Sequence, residues 1–90
     1  MTSTSVPKLP RGVRMRFDEA RDQWMLLGPE RVLKLDNIAL EILKRCDGES
    51  DLQSIIDDLS DAFEANATVI ESDVKAFVAD LRARGFIDLL

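Results

Sequence analysis

The chain has 90 residues, 46% of them apolar and 32% charged, a globular composition with material for one core and no second domain. It holds no His, no Tyr and one Cys, Cys46, which excludes Ser-His-Asp and Cys-His catalysis, His-based metal sites and an internal disulfide framework. The net charge of −5 is uneven: residues 1–35 carry seven Lys/Arg against four Asp/Glu (+3), and residues 36–90 carry five against thirteen (−8).

Met1 to Pro10 reads as a flexible tail or linker, because Pro7 and Pro10 forbid a helix and no apolar residue recurs with a period. Residues 11–90 then form a single domain. Val13 to Asp18 alternates, with Val13, Met15 and Phe17 on one face and Arg14, Arg16 and Asp18 on the other, which predicts a strand with one wet face. After a polar turn at Glu19 to Asp22, Trp24 to Leu27 is a second strand, more evenly apolar. Gly28-Pro29-Glu30 connects it tightly to a third, Arg31 to Leu35. Such short links favour an antiparallel meander, since parallel strands need a long crossover.

From Asp36 the period becomes helical. Asp36 is a candidate N-cap, Ala39, Ile42, Leu43 and Cys46 share one stripe, and Gly48 is a stop. Ser50 and Gln53 suggest a capping box for a second helix whose stripe is Leu52, Ile55, Ile56, Leu59 and Phe63. Thr68 and Glu71 suggest another for a third helix, with Ile70, Val74, Phe77, Val78 and Leu81 at helical spacing until Gly85. Phe86 to Leu90 is a short extended end. The expected fold is α+β, a winged helix-turn-helix-like arrangement of three strands followed by three helices (βββααα).

Charge and spacing narrow the chemistry. Asp57 and Asp58 are adjacent on a helix and diverge, so the acidic run reads as a solvated face. Cys46 lies on an apolar stripe with no base to activate it, and reads as a small buried hydrophobe. Asn66-Ala67-Thr68 matches a glycosylation acceptor, but Thr68 is accounted for as a cap. The third helix stands where a DNA-reading helix would, yet its first turns expose Glu71 and Asp73, which phosphates repel. No apolar run approaches the ~18–20 residues of a spanning helix, and no export signal is visible. The expectation is a cytoplasmic protein with no nucleic-acid or membrane partner, no metal and no cofactor. What remains is the edge of the third strand. It is completed either by a partner's strand or by the chain's own tail or C-terminal segment.

The ordered set of Pro29-Glu30, Val32-Leu33, Leu35, Ile42-Leu43, Asp47-Gly48, Asp73-Val74, Phe77, Leu81 and Gly85-Phe86-Ile87 resembles PqqD, the peptide-chaperone family of pyrroloquinoline quinone (PQQ) biosynthesis. One departure is Glu49-Ser50-Asp51-Leu52, where many relatives carry a basic residue and Thr-x-x-Glu. The resemblance implies a non-catalytic RiPP recognition element. Such a protein binds the leader of a ribosomal precursor peptide and presents it to a radical S-adenosylmethionine (SAM) enzyme. It further implies that the peptide adds a strand along the third strand, beside the helices. The residues expected to carry this are Arg31, Val32, Leu33, Lys34 and Leu35, with Val74, Phe77, Val78 and Leu81 filling the cleft. Arg31 and Lys34 would flank it and attract an acidic leader. Backbone groups from Val32 to Lys34 would pair with the peptide. The alternative is an acidic winged-helix regulatory or dimerisation module, and the open edge allows a monomer or a strand-paired dimer.

Overall fold

A computed structural model describes residues 2–90; Met1, the first residue of the expected tail, lies outside them. The elements are β1 (Pro7–Lys8), β2 (Arg14–Asp18), β3 (Gln23–Gly28), β4 (Arg31–Lys34), α1 (Asn37–Lys44), α2 (Leu52–Phe63), α3 (Ala67–Ala83) and β5 (Asp88–Leu89). The fold is α+β, and strands β2-β3-β4 form the antiparallel meander expected from the short links. At the β2–β3 turn, Asp18 Oδ1 accepts from the amide of Ala20 at 3.1 Å. At the β3–β4 turn, Pro29 leads and Glu30 takes the left-handed conformation (φ 59°) that the second turn position requires.

Register sorts the sheet into two faces. Met15, Leu26 and Leu33 stand opposite one another across the three strands. With Trp24 and Leu35 they pack toward the helices. The other face carries Arg16–Met25–Lys34 in one cross-strand row and Arg14–Leu27–Val32 in the next. Phe17, expected inside, keeps 38% of its surface exposed at the margin, its ring 5.4 Å from that of Trp24.

The helical stripes close the core. Ile42 and Leu43 of α1, Leu52, Ile55, Ile56 and Leu59 of α2, and Val74, Val78 and Leu81 of α3 are nearly inaccessible. Asp36 caps α1 as expected, its Oδ1 accepting from the amide of Ala39 at 2.8 Å. The other two caps differ. α2 is capped by Asp51, which accepts from Ser54 N at 2.8 Å, and Ser50 instead gives its amide to Asp47. α3 is capped by Asn66, whose Oδ1 accepts from Thr68 N, and not by Thr68. Short oxygen-bearing side chains stand within two positions of one another at both sites, and the one at the break in helical φ/ψ captures the free amide. The first helix ends at Arg45, before the expected stop at Gly48. Gly85 (φ 81°) ends α3 as expected. Phe86 N donates to Leu81 O at 2.8 Å and Gly85 N to Arg82 O, a Schellman closure that turns Phe86 back into the core.

The N-terminal segment is the main correction to the sequence reading. Residues 2–10 are tied to the domain: Pro7 and Lys8 pair with Leu89 and Asp88, and Lys8 bridges to Asp47. Ser5 O and Ser3 O accept from the amides of Leu52 and Gln53, two of the helix-start donors that α2 cannot satisfy internally. Pro7 is fully buried. Two-residue pairing sustained by carbonyls leaves no hydrophobic period, and Pro at a strand start removes only an amide.

Candidate functional site

The two segments that could have covered β4 pair with each other instead, as β1 and β5. Among the described residues, no strand pairs with the outer edge of β4. Which groups that edge offers follows from the ladder. Leu35 N donates to Trp24 O at 3.0 Å, and Leu33 stands opposite Leu26 and Lys34 opposite Met25. Antiparallel ladders alternate between pairs that exchange hydrogen bonds and pairs that do not. Arg31, Leu33 and Leu35 therefore turn their backbone groups toward β3, while Val32 and Lys34 turn theirs outward. The expectation that the whole run from Val32 to Lys34 is free is thus corrected at Leu33, whose amide is committed to the sheet.

Beside this edge runs a groove of about 380 Å³ between β4, the start of α1 and the outer turns of α3. Its trough is apolar: Leu33 and Leu35 from the strand side, Ile38, Ala39 and Ile42 from α1, and Ala76, Phe77 and Leu81 from α3. Its rim carries Lys34 and Arg84 with Asp36, Asp73 and Asp80. Asp80 and Arg84 pair at 3.3 Å, and Asp36 is occupied as the cap of α1.

The expected site residues separate into groups. Leu33 and Phe77 are half-buried walls of the groove, and Lys34 lies on its rim. Leu35 and Leu81, at 3% and 1% exposure, form its floor. Val74 and Val78, at 1% and 0%, are enclosed by the core and do not line the groove. The helix-3 stripe is wider than a cleft needs, and only its α1-facing flank is reachable. Arg31 also departs from its expected place. Its guanidinium donates to Arg84 O and lies 4.6 Å above the Phe86 ring, locking the start of β4 to the end of α3. Sequence reasoning missed Ile38. The signal was present: it is an apolar residue one position off the core stripe of α1, and 47% of it is exposed.

The groove's chemistry is that of a holder. It offers outward amide and carbonyl groups two residues apart, over an apolar trough, which fits an extended segment whose alternate side chains point down. Cys46 does not line it. Its thiol donates to Ile42 O, and burial, with the Asp47 charge beside it, pushes its pKa up to about 12. Arg45, beside it in sequence, turns outward to bind Glu41 and Asp58.

Against known proteins, residues 23–87 match the family described as Coenzyme PQQ synthesis protein D (PqqD). The chain is 47% identical over 87 residues to a PqqA binding protein of Rhodopseudomonas palustris strain TIE-1, covering 97% of this chain and 85% of that one. It is 44% identical over 89 residues to a PqqA binding protein of Xanthomonas oryzae pv. oryzae strain PXO99A, covering 99% and 97%. Among solved structures it is similar to the PqqD truncation of Methylobacterium extorquens PqqCD. That solution structure is described as a functional, stand-alone RiPP recognition element (TM-score 0.83, 38% identity, 97% of this chain and 93% of that chain). It is also similar to crystalline PqqD from Xanthomonas campestris (TM-score 0.59, 44% identity, 93% of each chain).

Proposed function

Because the chain belongs to the PqqD family of coenzyme PQQ synthesis proteins, we propose that it is a peptide-binding adaptor in the making of that cofactor. The leader of the ribosomal precursor peptide lies along β4 as an added strand, and the chain presents it to a radical SAM enzyme. Relatives named for binding PqqA support this reading. The observation that carries it is local: the outward backbone groups of Val32 and Lys34 border the apolar trough of Leu33, Ile38 and Phe77. An added strand gains main-chain hydrogen bonds from the first and side-chain pockets from the second. The adaptor acts in the cytoplasm and catalyses nothing itself. It raises the effective concentration of the peptide at the enzyme.

The test is a titration of isotopically labelled protein with the precursor peptide, followed by amide shifts. Shifts clustered at Val32, Lys34, Ile38 and Phe77 are expected. Absence of shifts along β4 and α3 overturns the reading. Shifts at β4 that depend on protein concentration and not on peptide would establish the strand-paired dimer in its place.

A further inference from the structure

The middle strand β3 is apolar on both sides, the pattern of a strand covered on both faces. Its inner side chains, Trp24 and Leu26, meet the core. Its outer ones, Met25 and Leu27, belong to a different surface. Met25 is only 7% exposed yet takes no part in the core cluster; Arg16 and Lys34 flank it across the strands. Leu27 lies between Arg14 and Val32, and Val32 leaves 63% of its surface to solvent. The depressions on this face are lined only by the three strands and their flanking turns.

The charges point one way. Arg14, Arg16 and Lys34 form no ion pair among the described residues, in a chain whose net charge is −5. Carboxylates stand at the margins of the face: Asp18, paired with Arg21, with Glu19 and Glu30 in the turns at the sheet's ends, and Asp36, Asp73 and Asp80 on the groove rim beside Lys34. We propose that this outer face docks an acidic protein surface with an apolar centre, carried by the enzyme that acts on the bound peptide. The proposal rests on the adaptor reading and adds to it a second surface, back to back with the groove. Val32 joins the two, giving its backbone to the peptide edge and its side chain to the outer face. A peptide added at β4 would widen the same face by one strand, so an enzyme seated there meets the peptide at its border.

Other occupants fit less well. A two-fold pairing of this face with its own copy would set Arg14, Arg16 and Lys34 against themselves. Docking on the acidic α2 of another copy is a heterologous contact, which builds a ring or an open filament and not a closed pair. Three cations around an apolar centre are a small footprint for nucleic-acid phosphates, and the chain's net charge opposes them.

The experiment compares the wild type with the Arg14→Glu/Arg16→Glu double variant. Both residues lie on β2, two strands from the peptide edge. Binding to the pathway's radical SAM enzyme and to the precursor peptide is measured separately, at low and high salt. The expected result is a loss of enzyme affinity of about tenfold or more at low salt, with peptide affinity unchanged. The wild type's enzyme binding weakens with salt, and the variant's does not. The milder Arg14→Gln/Arg16→Gln pair should fall between. Full enzyme affinity in the folded double variant overturns the proposal and leaves peptide binding standing. Equal loss of peptide affinity also overturns it, because the surfaces would then not be separate. A wild type that binds peptide but no enzyme overturns the presentation half of the adaptor reading, and this inference with it.

Discussion

Phe77 and Val78 are neighbours on α3 with opposite surroundings: the first walls the groove, and the second is wholly enclosed by the core. Val78→Ala should cost about 2 kcal/mol of folding stability while leaving peptide affinity per folded molecule unchanged. Phe77→Ala should do the reverse, lowering peptide affinity about tenfold (~1.4 kcal/mol) with a smaller effect on the melting temperature. Thermal unfolding and a peptide titration on both variants separate the two roles. If both variants only lose stability, Phe77 belongs to the core. A second residue-scale effect follows from Asp51. Its carboxylate accepts the Ser54 amide, which holds its pKa below the ordinary 3.8. A carboxylate with a lowered folded pKa contributes stability above its unfolded value and loses it as pH falls through the folded one. Asp51→Ala should therefore lower the melting temperature at neutral pH. The deficit should narrow as pH falls below about 4, where the wild type loses the same charge. An equal deficit at pH 7 and at strongly acidic pH would show that the carboxylate's charge is not what caps α2.

At the scale of elements, β4 makes a sharper prediction than its sequence allows. The amide of Val32 faces outward and that of Leu33 faces β3. Proline is tolerated on an edge strand where the missing donor faces solvent, and not where it removes a ladder bond. Val32→Pro should keep the circular dichroism of the wild type and lower peptide affinity by about tenfold or more. Leu33→Pro should unfold the sheet. A folded Val32→Pro variant with full affinity would move the added strand elsewhere. The contrast marks how far the elements were legible. Alternation at Val13 to Asp18 and the helical stripes of Ile42, Ile55 and Val74 are properties of side-chain spacing, and they located the sheet and the helices. The outward amides of β4 depend on register with β3, which is set between strands and leaves no trace in either one. The groove was half legible for a related reason. Helical period places Phe77, Val78 and Leu81 on one stripe, but the packing of α2 against α3 decides which flank of it is left to the groove. The caps at Asp51 and Asn66 were displaced by one or two positions because Ser50 and Thr68 have the same hydrogen-bonding chemistry.

For the whole molecule, the correction at the N-terminus matters most. Deleting residues 1–8 removes the carbonyl partners of Leu52 N and Gln53 N, the pairing to β5 and the buried ring of Pro7. Each lost intramolecular hydrogen bond is worth about 1 kcal/mol. The truncated chain should thus be less stable by about 2 kcal/mol or more, with the folded fraction still able to bind peptide, since the groove draws no residue from this segment. Denaturant unfolding measures the first and titration the second. A truncated chain as stable as the full one would make the segment a tail after all.

The pairing of Val6 with Leu90, through bonds of 3.3 and 2.8 Å, also bears on the order in which the chain folds. Within the described residues the pairings β2–β3 and β3–β4 join neighbours in sequence, and the helices are local by nature, so the meander and the helices can form over short loops. The clasp between the two chain ends encloses almost the entire polypeptide, and its loop-closure entropy is the largest in the fold. It forms usefully only once the intervening structure has drawn the ends together. Loop-closure entropy therefore predicts that the clasp closes last, whereas the outer sheet face is built from strands that pair over short turns.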